Sequence, residues 1–263
     1  MRIVEMSLCK TNGIVLSSLR LTGADKLITV LTADHGKIVG AAAGVRRPRS
    51  RFGSALEPFS YCRLVLFRKR TDLLFRISQA DILHSFQSIR ENLEQIELAA
   101  WMVNLIKAFT AEEIANPALF KHLLSCLEMV EKRSDEGLLP AYFELHLLKH
   151  VGYQPKLDRC VKCQGLVEKD GCFFLPSAGG VHCARCREGN SELILSLGAV
   201  ALAQHLLKVD LSALSRLKPS LSQAHEVEEM LKGYSYYLLE KKVHYHRYDK
   251  ISPESIVRSF SKF

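Results

Sequence analysis

The chain lacks any apolar run long enough to cross a membrane. The longest runs, residues 27–31 and 38–43, fall far short of the roughly 20 residues that a spanning helix needs. The first residues also lack the apolar core of an export signal. We therefore expect a cytoplasmic protein that makes no membrane contact.

Acidic residues are scarce in the first part of the chain. Residues 1–80 hold 14 lysines and arginines but only 5 aspartates and glutamates, whereas residues 81–263 hold 22 and 23. The formal net charge of +8 is thus concentrated near the N-terminus. A confined basic surplus is typical of a surface that binds a polyanion, most often nucleic acid, although a merely solvated basic surface has the same composition.

Signatures of catalysis are missing as well. The chain has no nucleophile elbow, no Walker-type phosphate loop and no paired carboxylates. A metal-dependent nuclease would need clustered acidic or histidine ligands, but the acidic residues of the basic part are spread from Glu5 to Asp72. We therefore expect a protein that is not an enzyme.

Short β-type segments with little helical periodicity make up the basic part. Residues 27–31 and 37–42 read as two strands of a hairpin, joined through residues 34–36. Residues 61–69 alternate between two faces, and a turn then leads to a strand over 73–78. Several short antiparallel strands within about eighty residues favour a five-stranded barrel of the OB type, because closure removes exposed sheet edges.

Helical periodicity replaces this pattern after residue 81. Apolar residues recur at three- and four-residue steps over 89–103, and further helices are predicted over 119–131 and 140–150. The helix over 119–131 follows an N-cap and a proline, Asn116 and Pro117. The periodicity resumes over 197–208 and 223–242.

A cysteine-rich segment interrupts the helical region. Cys160 and Cys163 form a C-x2-C pair, and Cys183 and Cys186 form another after nineteen residues, which is typical of a tetrahedral thiolate site. Four thiolates close the coordination shell, so we predict one structural zinc ion per chain rather than a catalytic metal. Redox C-x-x-C pairs or free thiols are the alternatives. Cys172, between the pairs, is interpreted as a core thiol.

These patterns predict an α+β fold with four segments. An OB-fold barrel over 1–80 binds the polyanion, and a helical domain over 81–154 and 191–263 is interrupted by a zinc-binding insertion over 155–190.

Four arginines within six residues mark the candidate nucleic-acid site. They lie between Gly44 and Gly53 in a proline-containing loop at the exit of a predicted strand, and guanidinium groups match phosphate oxygens in a bidentate way. Nearby hairpin turns add four more basic side chains. Phe52 and Phe59 could stack on bases, but aromatic residues beside a barrel are more often core. The predicted DNA-binding residues are Lys37, Arg46, Arg47, Arg49, Arg51, Arg68, Lys69 and Arg70.

Two stretches resemble the RecO family of recombination mediators. Residues 24–59 contain the family's T-x-x-x-G-K turn, the arginine-rich loop and a Gly-x-x-Leu-Glu-Pro-Phe close. Residues 147–165, followed by 178–186, are similar to the family's Gly-Tyr-x-Pro-x-Leu-x-x-Cys entry into its zinc module. The segment after residue 223 adds little to the resemblance.

The resemblance implies a DNA repair and recombination protein. Members bind single- and double-stranded DNA, anneal complementary strands, contact the C-terminal tail of single-stranded-DNA-binding protein, and cooperate with RecR in loading RecA. It also implies a nucleoid-associated place in the cytoplasm. Composition alone leaves open an RNA-binding factor built from an OB-fold and a zinc module.

Overall fold

The structure is a computed structural model that describes residues 6–21, 23–69, 72, 74–132, 137–167, 172–187 and 193–242. The chain divides after Lys132 into two compact units. No helix among the described residues is long and apolar enough to span a bilayer.

Unit 1 begins with a closed five-stranded barrel. Its strands are β1 (Met6–Arg20), β2 (Lys26–Thr32), β3 (Gly36–Ala42), β4 (Tyr61–Lys69) and β5 (Phe75–His84), in the order β1-β2-β3-β5-β4. β1 pairs antiparallel with both β2 and β4. The barrel closes where β3 runs parallel to β5, with Gly40 opposite Phe75 and Ala41 opposite Arg76. The predicted OB-type barrel is confirmed.

Alternation along the strands builds the barrel core. Cys62, Leu64 and Leu66 of β4 are buried, as their alternation predicts, and pack in one apolar cluster with Val15 and Ile38. The individual strands predicted from the sequence begin at residue 27, so β1 was not identified among them. The buried Thr11 of β1 is a polar residue, and its hydroxyl donates to the Asp34 carboxylate (2.7 Å) in the β2–β3 turn. A polar residue at this inward-facing position breaks the apolar alternation.

Three helices complete unit 1: α1 (Gln87–Arg90), α2 (Leu93–Phe109) and α3 (Pro117–Lys132). The single helix predicted over 89–103 is interrupted because the Asn92 side chain accepts the amide of Gln95 (3.1 Å) and so caps α2. Asn116 caps α3 in the same way through Leu119 N (3.0 Å), which confirms the predicted cap.

Unit 2 combines three helices with a small sheet. The helices are α4 (Leu139–His150), α5 (Leu197–Leu206) and α6 (Leu221–Lys242), and the strands are β6 (Cys172–Leu175), β7 (Gly180–Cys183) and β8 (Leu193–Leu195), in the order β7-β6-β8. The sheet packs on α6 through Phe174 and Tyr234, whose rings meet edge to face at 5.4 Å. The predicted helices over 140–150, 197–208 and 223–242 are confirmed to within a few residues.

The compact units differ from the predicted segments. β5 continues past residue 80 to His84, and α1, α2 and α3 lie in the same unit as the barrel. Arg90 contributes to this packing, since its guanidinium donates to the Pro58 carbonyl (3.0 Å). The boundaries at 80, 154 and 190 stay predictions.

Candidate metal centre and nucleic-acid interface

Four cysteine sulfurs converge in unit 2. Cys160 and Cys163 lie in a turn, Cys183 ends β7, and Cys186 ends the short 3₁₀ helix that follows it. All four Sγ atoms lie within 4.8 Å of one another, and those of Cys163 and Cys183 are 3.8 Å apart. The structure therefore brings together the four residues that the spacing predicts.

Backbone contacts hold the two cysteine pairs beside each other. Val161 N donates to Val181 O (2.9 Å), and Val181 N donates to Lys156 O (3.0 Å), so the first turn is fastened along β7. Gly180 permits this approach, because a Cβ there would lie 2.7 Å from Lys156 O. The cluster thus rests on main-chain geometry rather than on flexible side chains.

The donor set fits a tetrahedral zinc ion. Zn–S bonds of about 2.3 Å place the sulfurs of such a site about 3.8 Å apart, as observed for Cys163 and Cys183. Thiolates are ligands that Zn²⁺ prefers, and four of them leave no coordination position for substrate. These residues could therefore hold zinc in a structural role.

The electrostatics of the cluster favour a bound cation. Burial would raise the pKa of the Cys160 thiol, but hydrogen bonds from the backbone of Cys163, Cys183 and Lys162 lower it to about 6. Burial and the neighbouring sulfurs raise the pKa of Cys186 to about 12. Four sulfurs at this spacing resist a build-up of negative charge, which a divalent cation relieves.

The remaining cysteines of the described chain are not members of this cluster. Cys172 is buried in β6, where burial raises the pKa of its thiol to about 12, in agreement with its interpretation as a core thiol. Cys62 is inside the barrel and donates to Ala55 O (3.0 Å).

The arginine loop, residues 44–53, lies in unit 1 between β3 and β4. It is not a free loop, because Asp25 accepts the amide of Gly44 (2.8 Å) and Arg46 donates through its amide to Ala24 O (3.0 Å). Consecutive turns follow, in which Arg47 N bonds Gly44 O (3.1 Å) and Ser50 N bonds Arg47 O (2.9 Å). The loop is thus fastened to the β1–β2 turn while its side chains remain outside.

Its four arginines are exposed, and three of them line two adjoining grooves. Arg47, Arg49 and Arg51 line a groove of about 480 Å³, and Arg51 also lines a second one of about 570 Å³. Arg46 is exposed and donates to Gly23 O (3.1 Å). The two grooves share Arg51, so the basic side chains of both adjoin at this residue, and the acidic Asp25 also lines both.

The second groove contains further basic side chains. Arg68 and Lys69 at the end of β4 line it, as does Arg76 of β5, which lies 3.8 Å from the Asp72 carboxylate. Arg76 was not among the predicted residues, because its strand neighbour at the barrel closure cannot be read from local sequence. Arg70 lies outside the described residues.

Lys37 is placed differently from the prediction. Its ammonium group donates to Lys107 O (2.7 Å) and Thr110 O (2.6 Å), the carbonyl groups at the C-terminal end of α2. Burial lowers the pKa of this lysine; the nearby Glu112 carboxylate opposes the shift, and the charge of Lys107 adds to it. A lysine at a helix C-terminus satisfies otherwise unpaired carbonyls. We therefore remove Lys37 from the candidate DNA-binding set.

Phe52 and Phe59 are core residues. They are only 3% and 2% exposed, respectively, so neither ring is available to stack on a base. Phe52 anchors the arginine loop to the apolar cluster of the barrel core. The guanidinium of Arg51 lies over the Phe52 ring, 4.9 Å from its centroid.

Family models match almost the whole described chain. The model for "Recombination protein O N terminal" matches residues 6–86, and the model for "Recombination protein O C terminal" matches residues 90–246. The family resemblance expected from the sequence is confirmed.

Curated relatives carry one printed name, "DNA repair protein RecO". The protein from Symbiobacterium thermophilum is 36% identical over 234 residues, covering 87% of this chain and 91% of the relative. That from Rubrobacter xylanophilus is 39% identical over 183 residues, covering 69% and 73%. That from Dehalococcoides mccartyi strain 195 is 32% identical over 232 residues, covering 88% and 91%. These matches lend no support to the RNA-binding alternative.

Proposed function

The chain belongs to the RecO family of DNA repair proteins, and from this we propose that it is a recombination mediator that binds DNA and anneals complementary strands without catalytic turnover. It takes single- and double-stranded DNA along the grooves beside the arginine loop. The observation that carries the proposal is the pair of adjoining grooves on an OB-type barrel, which Arg47, Arg49, Arg51 and Arg68 line.

Charge neutralisation supplies the mechanism. Two complementary strands repel each other through their phosphates, and each phosphate that an arginine neutralises releases a condensed counterion. Phosphate contacts carry no base sequence, so a surface of this kind accepts any strand and leaves the base edges free to pair. The exposed guanidinium groups of Arg47 and Arg49 suit this role, because they present bidentate donors for phosphate oxygens at the surface.

The proposed partners follow from the family resemblance. We infer that the protein contacts the C-terminal tail of single-stranded-DNA-binding protein and, with RecR, helps to load RecA onto coated DNA. Zinc held by Cys160, Cys163, Cys183 and Cys186 stabilises unit 2 and takes no part in DNA contact.

An annealing assay tests the proposal. Complementary oligonucleotides labelled for fluorescence quenching are mixed with the full chain, with and without prior coating by single-stranded-DNA-binding protein. We expect accelerated annealing in both cases, and intact DNA on a denaturing gel afterwards. Annealing at the spontaneous rate would refute the mediator proposal, and shortened or nicked DNA would refute its non-enzymatic character.

A further inference from the structure

The connection between α2 and α3, residues 110–116, lies along the barrel edge, and we call it the strap. Glu112 pairs with Lys37 of β3 in a parallel bridge, and Glu113 N donates to Lys37 O (2.9 Å). The approach is closest at Gly36, where a Cβ would lie 2.1 Å from Ile114 O. The strap therefore occupies a place in the fold that only a glycine leaves open.

Glu113 of the strap forms an ion pair with Arg68, an arginine of the candidate DNA groove. Its two carboxylate oxygens pair with the two terminal nitrogens of Arg68, with 2.6 Å between Oε2 and Nη2. The Arg68 guanidinium also lies over the Phe75 ring, 4.1 Å from its centroid, which fixes its plane. Arginine binds a carboxylate and a phosphate with the same two-pronged geometry.

The strap holds Glu113 in an unfavourable backbone conformation. Its φ is 58°, in the left-handed region that residues with a side chain rarely adopt. Such a conformation persists where surrounding contacts maintain it, here the Lys37 carbonyl and the Arg68 guanidinium. Loss of the Arg68 contact therefore removes one of the contacts that maintain this conformation of Glu113.

We propose that Glu113 competes with the DNA backbone for Arg68. Its carboxylate stands where a phosphate would bind, so it lowers DNA affinity, and DNA that reaches Arg68 displaces the strap. The proposal rests on the proposed function, because it presumes that DNA lies along the groove that Arg68 shares with Arg51, Lys69 and Arg76. Glu113 thus sets the affinity of the site.

The test compares two neighbouring charge changes in the full chain. Glu113→Gln keeps the side-chain shape but releases Arg68, and we expect single-stranded DNA to bind about two- to fivefold more tightly, the range of an exposed ion pair. Glu112→Gln makes the same change in net charge. The Glu112 carboxylate is not paired with Arg68 in the described structure, so the affinity of the Glu112→Gln variant for single-stranded DNA should stay close to the wild-type value.

Arg68→Ala completes the comparison. In the wild-type background this change should weaken binding only slightly, because DNA gains the Arg68 contact at the cost of the Arg68–Glu113 ion pair, whereas in the Glu113→Gln background it should abolish the gain. Hydrogen exchange adds a readout independent of affinity. The Glu113 amide, protected by Lys37 O, should exchange faster when wild-type protein binds DNA.

The outcomes separate this inference from the proposed function. Equal tightening by Glu113→Gln and Glu112→Gln, or no tightening by either, overturns the competition while DNA binding itself stands. Unchanged exchange of the strap on DNA binding also overturns it. Absence of DNA binding by the wild type and by every variant overturns the proposed function and this inference together.

Discussion

Cys172 lies directly opposite Cys183 across the β6–β7 hairpin, yet only Cys183 belongs to the four-sulfur cluster. Residues opposite each other in an antiparallel pair lie on the same face of the sheet. Two buried thiols thus occupy neighbouring positions with different roles, one proposed as a metal ligand and one packed in the core.

Replacing these two cysteines separately distinguishes the roles. Cys183→Ala should abolish stoichiometric zinc and destabilise unit 2 by several kcal/mol, because metal binding and folding are coupled in such sites. Cys172→Ala should retain about one zinc per chain and cost about 1 kcal/mol for the small cavity. Elemental analysis and thermal unfolding measure both effects. Loss of zinc from the Cys172 variant would show that the ligand set is wrong.

The arginine loop should dominate the salt dependence of DNA binding. Changing Arg46, Arg47, Arg49 and Arg51 together to Ala should reduce the slope of log affinity against log salt by about 2.8, from about 0.7 per single-strand phosphate. The loss should be similar for oligonucleotides of different sequence. Fluorescence anisotropy titrations at three salt concentrations measure it.

A matched variant controls for net charge. The lysines Lys149, Lys156, Lys208 and Lys218 are exposed in unit 2, and their joint change to Ala removes the same charge away from the loop. We expect its slope to match the wild type. If both quadruple variants lower the slope equally, the loop makes no specific phosphate contact.

Lys37 should contribute to stability rather than to DNA binding. Lys37→Met keeps the apolar stem but leaves Lys107 O and Thr110 O without their ammonium donor, which should cost about 1–3 kcal/mol of unfolding free energy. The salt slope of DNA binding should not change. Lys69→Met is the converse control, because this exposed groove residue should weaken DNA binding with little effect on urea unfolding. The opposite pattern would restore Lys37 to the interface.

The stability of unit 2 should fall as the pH rises from about 4.5 to about 7. Glu144 of α4 is buried, and burial raises the pKa of its carboxyl from 4.5 to about 7, although a hydrogen bond from Ser235 of α6 opposes the shift. Because the native state holds this proton more tightly than the unfolded chain, its contribution is fully present below 4.5 and is lost as the pH rises through the native pKa. The full effect is about 3 kcal/mol.

Glu144→Gln tests this assignment. The amide has no carboxyl proton to lose, so the variant should show a flatter pH profile of urea unfolding between pH 4.5 and 7 and should exceed the wild type in stability above pH 7. Glu240→Gln, an exposed carboxyl on the same helix α6 as Ser235, makes the same change in charge and serves as the control. Parallel profiles for wild type and the Glu144 variant would contradict the prediction.

Local patterns predicted those parts of the molecule that depend on local chemistry. Alternation over 61–69 separated the two faces of β4, Asn116 marked the start of α3, and the C-x2-C spacing identified all four clustered cysteines. The strand alternation and the helix cap are each determined within a few neighbouring residues. The metal centre is determined by two C-x2-C pairs, whose thiols are specific metal ligands.

Features that depend on distant contacts were missed. In the sequence Lys37 resembles a surface lysine, because the α2 carbonyl of Lys107 that accepts its hydrogen bond lies seventy residues further along the chain. Arg76 enters the groove only because β3 and β5 close the barrel, and Arg68 is paired by a glutamate that follows α2. Charge composition located the basic unit, but it could not indicate which cations already have partners.

The pairing of β1 with β4 has a consequence for synthesis on the ribosome. β1 is the first of the five barrel strands to emerge, and although β2 follows at once, the partner on its other edge is complete only after about half of unit 1 has been translated. Meanwhile a fifteen-residue strand has one edge without a partner, and such an edge is a template for pairing with other chains. The nascent protein should therefore be most prone to pair with other chains, and most dependent on chaperones, before β4 is complete.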